Sequence, residues 1–178
     1  MRVVLTPEAQ ESMSSLMRKA KGKRVEYGLQ LLLSGDRIYP GQSKRGGTRS
    51  MITSGFSGVG WFHTHPFSPP RLGLETYRHF GWEVPSPQPP GLSVVDILHI
   101  LISLSHRLIG VGSPDYSQKQ VQFAALKKGV SPKLRAEVLG LIPLEAMFGV
   151  PVAGIEDYVE LYYFELGASE VPMEVYLG

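Results

Sequence analysis

Two histidines separated by one residue and followed by a proline constrain this chain more than any other stretch. His63 and His65 lie in the run GWFHTHP, residues 60–66. Alternate side chains of an extended strand share a face, so the two imidazoles are expected to point the same way. Pro66 lacks the N–H that a sheet ladder requires, so the strand is predicted to end there, within reach of solvent and substrate. A pair of imidazoles in that position predicts a metal site.

The composition limits which residues can complete such a site. With 178 residues, the chain can bury the core of one domain without a metal or a disulfide, so a bound metal is expected to serve chemistry. There is no cysteine, which leaves His, Asp and Glu as metal ligands and excludes a cysteine nucleophile. A hydrophobic fraction of 43% predicts a soluble globular protein. No signal-like apolar segment opens the sequence, which favours a cytoplasmic protein.

Charge is distributed unevenly along the chain. Residues 1–50 carry ten Lys and Arg against four Asp and Glu, whereas residues 136–178 carry eight Asp and Glu and no Lys or Arg. The densest basic run, residues 18–24, has no aromatic side chains interleaved with its charges. It is therefore interpreted as the solvated end of a helix rather than as a nucleic-acid patch.

Hydrophobic periodicity predicts a mixture of helices and strands without a regular alternation or an internal repeat. The odd positions of residues 25–33 are apolar, which predicts a strand with Glu26 on its opposite face. Residues 40–58 are rich in Gly, Ser, Lys and Arg and predict a mobile loop or weak strand. The other predicted elements are helices at 7–20, at 94–104 and from 132 to a limit set by Gly140 and Pro143, and strands at 59–65, 107–112, 119–126, 158–166 and 171–177.

A third metal ligand is needed, because a catalytic zinc typically has three protein ligands and one water. Asp96 is the candidate, since it lies in the first turn of an apolar helix, where an unpaired carboxylate would be costly and a cation would remove that cost. The same residues, Ser93-x-x-Asp96 before an apolar run, are also typical of a capping box with Ser93 as the N-cap. The two interpretations are compatible, because one carboxylate oxygen can bind a metal while the serine caps the helix.

Together these residues resemble the JAMM/MPN zinc metalloproteases, in a prokaryotic or archaeal form. The family pattern is a glutamate, then H-x-H-P, then S-x-x-D at the start of a helix. Glu26, His63-Thr64-His65-Pro66 and Ser93-Val94-Val95-Asp96 match it in that order. The resemblance covers roughly residues 3 to 126.

Two features depart from the family pattern. The glycine expected three positions after the glutamate is replaced by Leu29, with Gly28 one position earlier. The two motifs are also separated by 27 residues, 66–92, where the family has a short loop. This insertion contains seven of the fourteen prolines, and its Glu75 is the alternative third ligand.

The resemblance implies a fold and a domain organisation. The expected fold is α/β, of the mixed, cytidine-deaminase-like MPN/JAMM kind, in which helices flank a central mixed β-sheet. The chain is then one domain over residues 1–178, with the Pro-rich insertion at 66–92 and a C-terminal extension of the domain at 131–178. Phe80 and Trp82 make the insertion a candidate lid or substrate clamp.

The resemblance further implies a zinc-dependent protease or isopeptidase acting next to ubiquitin-like or sulfur-carrier-type modifier proteins. His63, His65 and Asp96 would hold Zn²⁺. Glu26 would carry a proton from the attacking water to the leaving amine, and Ser93 would hydrogen-bond the developing oxyanion. Without the resemblance, Glu26 is interpreted as an exposed strand carboxylate near Arg24.

Two other functions stay open. One is a catalytically silent MPN scaffold that binds partner proteins, although such members generally lose metal ligands that this chain retains. The other is a DNA-repair-associated member of the superfamily, which only the basic N-terminal half supports. Neither a membrane nor a nucleic acid is expected as the partner.

Overall fold

The structure is a computed structural model that describes residues 1–46, 58–66, 78, 83, 91–148, 154–167 and 169–178. These residues form strands and helices in mixed order along the chain. The elements are β1 (Arg2–Leu5), α1 (Pro7–Ala20), β2 (Tyr27–Ser34), β3 (Arg37–Arg45), β4 (Gly60–Thr64), α2 (Val94–Ile102), β5 (Leu108–Gly112), β6 (Gln120–Leu126), α3 (Pro132–Phe148), a 3₁₀ turn (Ile155–Asp157), β7 (Val159–Glu165) and β8 (Val171–Glu174).

All eight strands belong to one sheet, in the order β7-β6-β5-β4-β2-β3-β1-β8. The pairs β1–β3 and β4–β5 are parallel and the other pairs are antiparallel. The two edge strands approach each other, because the N–H of Glu174 donates a hydrogen bond of 2.9 Å to the hydroxyl of Tyr162. The sheet therefore nearly closes on itself.

The sheet curves around α1, which supplies the apolar interior of the curve. Thr6 caps this helix by accepting a hydrogen bond of 3.2 Å from the N–H of Ala9, and Pro7 occupies the first turn, where no intrahelical N–H bond is lost. Met13 and Met17 are fully buried in a cluster to which every strand of the sheet contributes. Burial of this face is what fixes the curvature.

A second apolar cluster covers the opposite face of β4, β5 and β6. Ile97, Leu98 and Leu101 of α2 are fully buried there, together with Trp61 of β4 and Val111 of β5. This packing lays the start of α2 beside the end of β4. The two motifs singled out in the sequence therefore meet on this face.

The predicted α/β fold, with helices flanking a central sheet, is wrong. The described part of the chain is dominated by one eight-stranded, nearly closed sheet and has only three α-helices. Two strands account for much of the difference. β1 is only four residues long and β3 contains Pro40, Gly41 and several charged residues, so neither shows the apolar alternation that marks a strand. Both are held by pairing with distant strands instead.

The other predicted elements can be compared individually. The helix at 7–20 is confirmed without change, and the remaining predicted strands and the helix at 94–104 are confirmed to within three residues at each end. Residues 40–45 belong to β3, and residues 47–57 lie outside the described residues. The predicted limit of α3 at Gly140 and Pro143 is wrong, because the helix continues to Phe148. Most of the insertion, including Glu75, Phe80 and Trp82, lies outside the described residues.

The same substitution at two glycines is expected to have opposite effects on stability. In Gly60→Ala the new Cβ would overlap the backbone carbonyl of Leu108 on the parallel neighbour strand, so we expect a loss of about 1–3 kcal/mol from the strain. In Gly140→Ala the new Cβ meets no atom within 4 Å, so we expect a gain of about 0.5–1 kcal/mol from better helix propensity. Urea unfolding of both variants measures the two changes, and a destabilised Gly140→Ala would contradict the long α3.

Candidate metal centre

The histidines are held by the middle of the sheet. β4 lies between β2 and β5, with His63 opposite Gly28 on one side and Val111 on the other. His65 follows the last residue of the strand, and its N–H donates a hydrogen bond of 2.8 Å to the carbonyl of Gly112. The backbone is thus fixed on both sides of the pair. Both imidazoles point to the α2 face, as the alternation predicts.

Asp96 completes a compact group with the two histidines. The Nε2 atoms of His63 and His65 lie 2.7 Å apart. Asp96 Oδ1 lies 3.2 Å from the first of these atoms, and Asp96 Oδ2 lies 3.3 Å from the second. All three residues are buried, with at most 8% of each exposed. The structure therefore brings together the three residues predicted as metal ligands.

One distance in this group already has the value expected between two metal ligands, and another is shorter. Four tetrahedral ligands at about 2.0–2.1 Å from an ion are separated from one another by about 3.3 Å. The 3.2 Å separation between Asp96 Oδ1 and His63 Nε2 matches that value, while the nitrogen–nitrogen separation of 2.7 Å is a hydrogen-bond distance that would have to open slightly. The chemistry of two imidazoles and one carboxylate suits a divalent ion. This group could hold a metal ion.

Asp96 divides its two oxygens between the helix and the histidines. Asp96 Oδ2 accepts hydrogen bonds of 2.8 Å from both the N–H and the hydroxyl of Ser93, and the N–H of Asp96 donates one of 3.2 Å to Ser93 Oγ. The predicted capping box is therefore confirmed. Oδ1 receives no bond from the cap, so it is the oxygen left to face a cation. Capping and metal binding do not compete for the same atom.

One backbone carbonyl determines which nitrogen of His65 faces the centre. His65 Nδ1 lies 3.0 Å from the carbonyl oxygen of Gly91. A carbonyl only accepts, so we assign the ring proton to Nδ1. The neutral imidazole then presents the lone pair of Nε2 to His63 and Asp96. That is the form in which a histidine binds a metal.

His63 is positioned by stacking instead. The indole of Trp61 lies on the same face of β4 and stacks on the imidazole, with ring centroids 4.5 Å apart. Within the described part of the chain His63 Nδ1 is buried without a hydrogen-bond partner. The ring of His99 on α2 also contacts Trp61, in a T-shaped arrangement with ring centroids 5.7 Å apart. The ring of His63 is thus oriented by its packing on the indole of Trp61.

Glu26 lies on the same face as the three candidate ligands. Continuing the β2–β4 register from Gly28 opposite His63 places Glu26 opposite His65, and residues opposite each other in an antiparallel pair share a face. The N–H of Tyr27 donates a hydrogen bond of 3.0 Å to the buried hydroxyl of Thr64, which extends this pairing beyond the last ladder residue. The alternative of an exposed carboxylate is wrong, since Glu26 is only 8% exposed.

The ionisable groups of the centre influence one another. Burial raises the pKa of the Glu26 carboxyl, with His63 and His65 opposing the rise and Asp96 adding to it. Burial would lower the pKa of the His65 imidazole, but Asp96 and, to a smaller extent, Glu26 raise it above its usual value. Burial would also raise the pKa of Asp96, but the two imidazoles hold it well below the usual range. The Asp96 carboxylate is therefore held in its ionised form beside the two imidazoles.

Comparison with known proteins adds nothing to this description. No protein-family model matches the chain, and no curated protein matches it. The resemblance to the JAMM/MPN metalloproteases thus rests on the identity and order of the five residues in the sequence. No helix in the described segments is long and apolar enough to cross a membrane.

Two parts of the site were missed by the analysis of the sequence. Trp61 was noted only as part of the run before the histidines, although its position two residues before His63 on a strand was a sufficient signal that they share a face. Gly91 could not be recognised from the sequence, because it acts through its backbone carbonyl, a group that every residue has. The alternative ligand Glu75 lies outside the described residues.

The three ligands can be tested by counting metal ions. We expect about one Zn²⁺ per chain in native mass spectra of protein that has been stripped with chelator, reloaded and desalted. His63→Ala and Asp96→Asn should lose the ion, and the asparagine keeps an oxygen for the cap. His99→Phe is the matched control on the same helix and should retain it, because it removes the ring nitrogens but keeps an aromatic ring against Trp61. If Asp96→Asn retains zinc, the third ligand must be another residue, and Glu75 is the first candidate.

The pKa shift of His65 predicts a pH-dependent contribution to the stability of the metal-free protein. Because the folded-state pKa is raised, the contribution is complete below the unfolded value of about 6.5 and is lost as the pH rises through the folded value. We therefore expect the difference in unfolding temperature between wild type and His65→Gln, both with EDTA, to shrink from pH 6 to pH 8.5. Taking the difference removes the opposite effect of His99, whose pKa burial lowers. A difference that grows with pH would contradict the assigned ion pair.

Proposed function

We propose that this chain is a metal-dependent hydrolase of peptide or isopeptide bonds, with zinc as its ion and ubiquitin-like or sulfur-carrier-type modifier proteins as its substrates. The observation that carries the proposal is the position of Glu26. A buried carboxylate with a raised pKa faces a group of three candidate ligands from a neighbouring strand. A structural metal site has no need of such a carboxylate, whereas hydrolysis needs a proton acceptor beside the ion.

The bound ion would supply Lewis acidity, polarising a carbonyl and making a water acidic near neutral pH. The role of His63, His65 and Asp96 would be to hold it by three ligands and leave one position open. Three ligands on two rigid elements suit this role, because β4 is paired on both sides and α2 is capped at its first turn.

Glu26 would accept the proton of the attacking water and return it to the leaving amine. An efficient general base has a pKa close to the working pH, and burial moves the pKa of Glu26 in that direction. The fixed β2–β4 pairing at Tyr27 and Thr64 holds the carboxylate on the side of the histidines. The position of the Glu26 carboxylate near the candidate ligands is thus set by the backbone of β2 as well as by the conformation of its side chain.

Ser93 would stabilise the negative charge that develops on the carbonyl oxygen. It lies at the N-terminus of α2, where the helix dipole also favours an anion. Its hydroxyl donates to Asp96 Oδ2 at 2.8 Å, so donation to the substrate requires the hydroxyl to turn. The cap survives that rotation, because the N–H of Ser93 still donates to the same oxygen.

The modifier-protein substrates are proposed on the resemblance to the JAMM/MPN metalloproteases. The five polar residues occur in the order of that family, and the start of α2 brings Ser93 and Asp96 to the face of the sheet that carries Glu26, His63 and His65. No contact among the described residues favours the silent scaffold or the DNA-repair function separately. We also propose a cytoplasmic location, because conjugates of such modifier proteins occur inside cells.

The test is cleavage by the zinc-loaded protein of linear fusions and isopeptide conjugates of ubiquitin-like and sulfur-carrier proteins. We expect Glu26→Gln to retain zinc but to lower kcat/KM by about 10²- to 10⁴-fold, because the base is lost and the ligands are not. We expect Ser93→Ala to lower kcat by about 10²- to 10³-fold. Gel assays with initial rates give both values.

The controls separate the possible outcomes. Asp96→Asn should lose both zinc and cleavage, while His99→Phe should keep both. Full activity in zinc-loaded Glu26→Gln would overturn the role of the glutamate. A well-metallated protein that cleaves no ubiquitin-like substrate would count against the modifier, and a protein that binds no metal would favour the scaffold.

A further inference from the structure

A single peptide group connects the candidate metal centre to a distant strand. The N–H of Leu92 donates a hydrogen bond of 3.1 Å to Gln122 Oε1, in the middle of β6. The carbonyl oxygen of Gly91 accepts the hydrogen bond of 3.0 Å from His65 Nδ1. These N–H and C=O groups belong to the same planar peptide unit and point in opposite directions. The unit is therefore held from both sides.

The whole connection is buried. Gln122 and Leu92 are each 1% exposed and His65 is 8% exposed. Water cannot substitute for these hydrogen bonds there, and neighbouring bonds in such a chain polarise one another. An acceptor on the Leu92 N–H makes the Gly91 carbonyl a better acceptor, and that carbonyl holds the proton on His65 Nδ1.

Gln122 is well suited to serve as the fixed end of this connection. Its strand lies inside the sheet, and Gln122 pairs with Val111 of β5 and Tyr163 of β7. Val111 in turn pairs with His63, so one row of residues across the sheet links the glutamine to the histidine strand. The segment that carries Gly91 and Leu92 belongs to no helix or strand, and it leads directly into the cap of α2.

We propose that Gln122 is a positioning residue of the metal centre, which acts on His65 and on the start of α2 through the Gly91–Leu92 peptide group. It has two effects. It holds the carbonyl that keeps His65 in the tautomer with Nε2 free to bind the ion. It also fixes the residue before Ser93, and so the distance between Asp96 and the histidines. The inference rests on the metal centre of the proposed function but not on its substrate.

The alternative is that Gln122 only satisfies a buried N–H and affects stability alone. Gln10 provides the matched control for that role. It is 2% exposed and lies on α1, its Oε1 accepts a hydrogen bond of 3.1 Å from the N–H of Gly167, and its Nε2 donates one of 3.4 Å to the carbonyl of Leu5. Gln10→Met and Gln122→Met each remove one such acceptor with little change in volume. Only the second removes it from the connection to His65.

The experiment is ¹⁵N NMR of the histidine rings in metal-free protein, at a pH where His65 is neutral, followed by zinc titration against a competing chelator. Wild type, Gln10→Met and Gln122→Glu should show the Nδ1–H tautomer of His65, since the glutamate keeps the acceptor. Gln122→Met should shift the population towards Nε2–H. It should also weaken zinc binding by about 10- to 100-fold, as losses of ligand-orienting partners do.

Each outcome decides something. If Gln122→Met loses thermal stability as Gln10→Met does, but keeps the tautomer and zinc affinity, the positioning role is overturned and the metal centre stands. If Gln122→Met does not fold, Gln122→Asn withdraws the acceptor by one methylene and should give the same shift. If the wild type binds no zinc, the proposed function fails, while the tautomer still reports whether Gln122 governs His65.

Discussion

The Asp96 carboxylate is the group on which the rest of the site depends, because it belongs to two structures at once. Its Oδ2 closes the N-terminal turn of α2 through two hydrogen bonds from Ser93. Its Oδ1 lies 3.2 Å from His63 Nε2. The helix therefore begins at the place where the histidines need a carboxylate. The capping box accounts for Oδ2 of this aspartate. The position of Oδ1 beside His63 needs a second explanation, which a metal site provides.

The two sides of the centre differ in how they are held. The histidines follow the backbone of a central strand that is paired with β2 and β5, so their spacing is set by the sheet. Asp96 arrives from a helix whose start depends on the Ser93 cap and on the segment at Gly91 and Leu92. The 2.7 Å separation of the two Nε2 atoms can open by rotation of the imidazole rings, whereas any backbone adjustment between a hydrogen-bonded and a metal-bound arrangement falls to the start of α2. This is why the anchoring of that segment matters for the metal.

The sequence was informative wherever a local rule determined the structure. Thr6 and Pro7 predict the start of α1, the alternation around His63 predicts a shared face, and Ser93-x-x-Asp96 predicts the cap. All three rest on residues within one turn or one strand of each other. The burial of Glu26 and the contact of His65 with Gly91 depend on pairing between segments far apart, and no local pattern encodes them.

The predicted fold class failed for the same reason. β3 has Pro40 and Gly41 in its interior and half of its residues carry polar side chains, so it reads as a loop until β1 and β2 are placed on either side of it. Because β3 pairs with both β2 and β1, it joins β1 and β8 to the rest of the sheet, which then curves back towards β7. The arrangement of the site survived this error, because β4 and α2 meet through the Trp61 and Leu98 cluster, which does not involve β3.

The charge balance of the buried centre favours a bound cation independently of the resemblance to the JAMM/MPN metalloproteases. Gly91 holds a proton on His65 Nδ1, so the lone pair of His65 Nε2 faces a second ring nitrogen at 2.7 Å. Two lone pairs at that distance repel, so either a proton or a metal ion must lie between the rings and the Asp96 carboxylate. Glu26 adds a second buried carboxylate to the same face, and its own raised pKa records the cost of that charge in the metal-free chain. A divalent cation would satisfy the two ring nitrogens and the Asp96 carboxylate at once, and it would leave the Glu26 carboxylate beside them to act as a base.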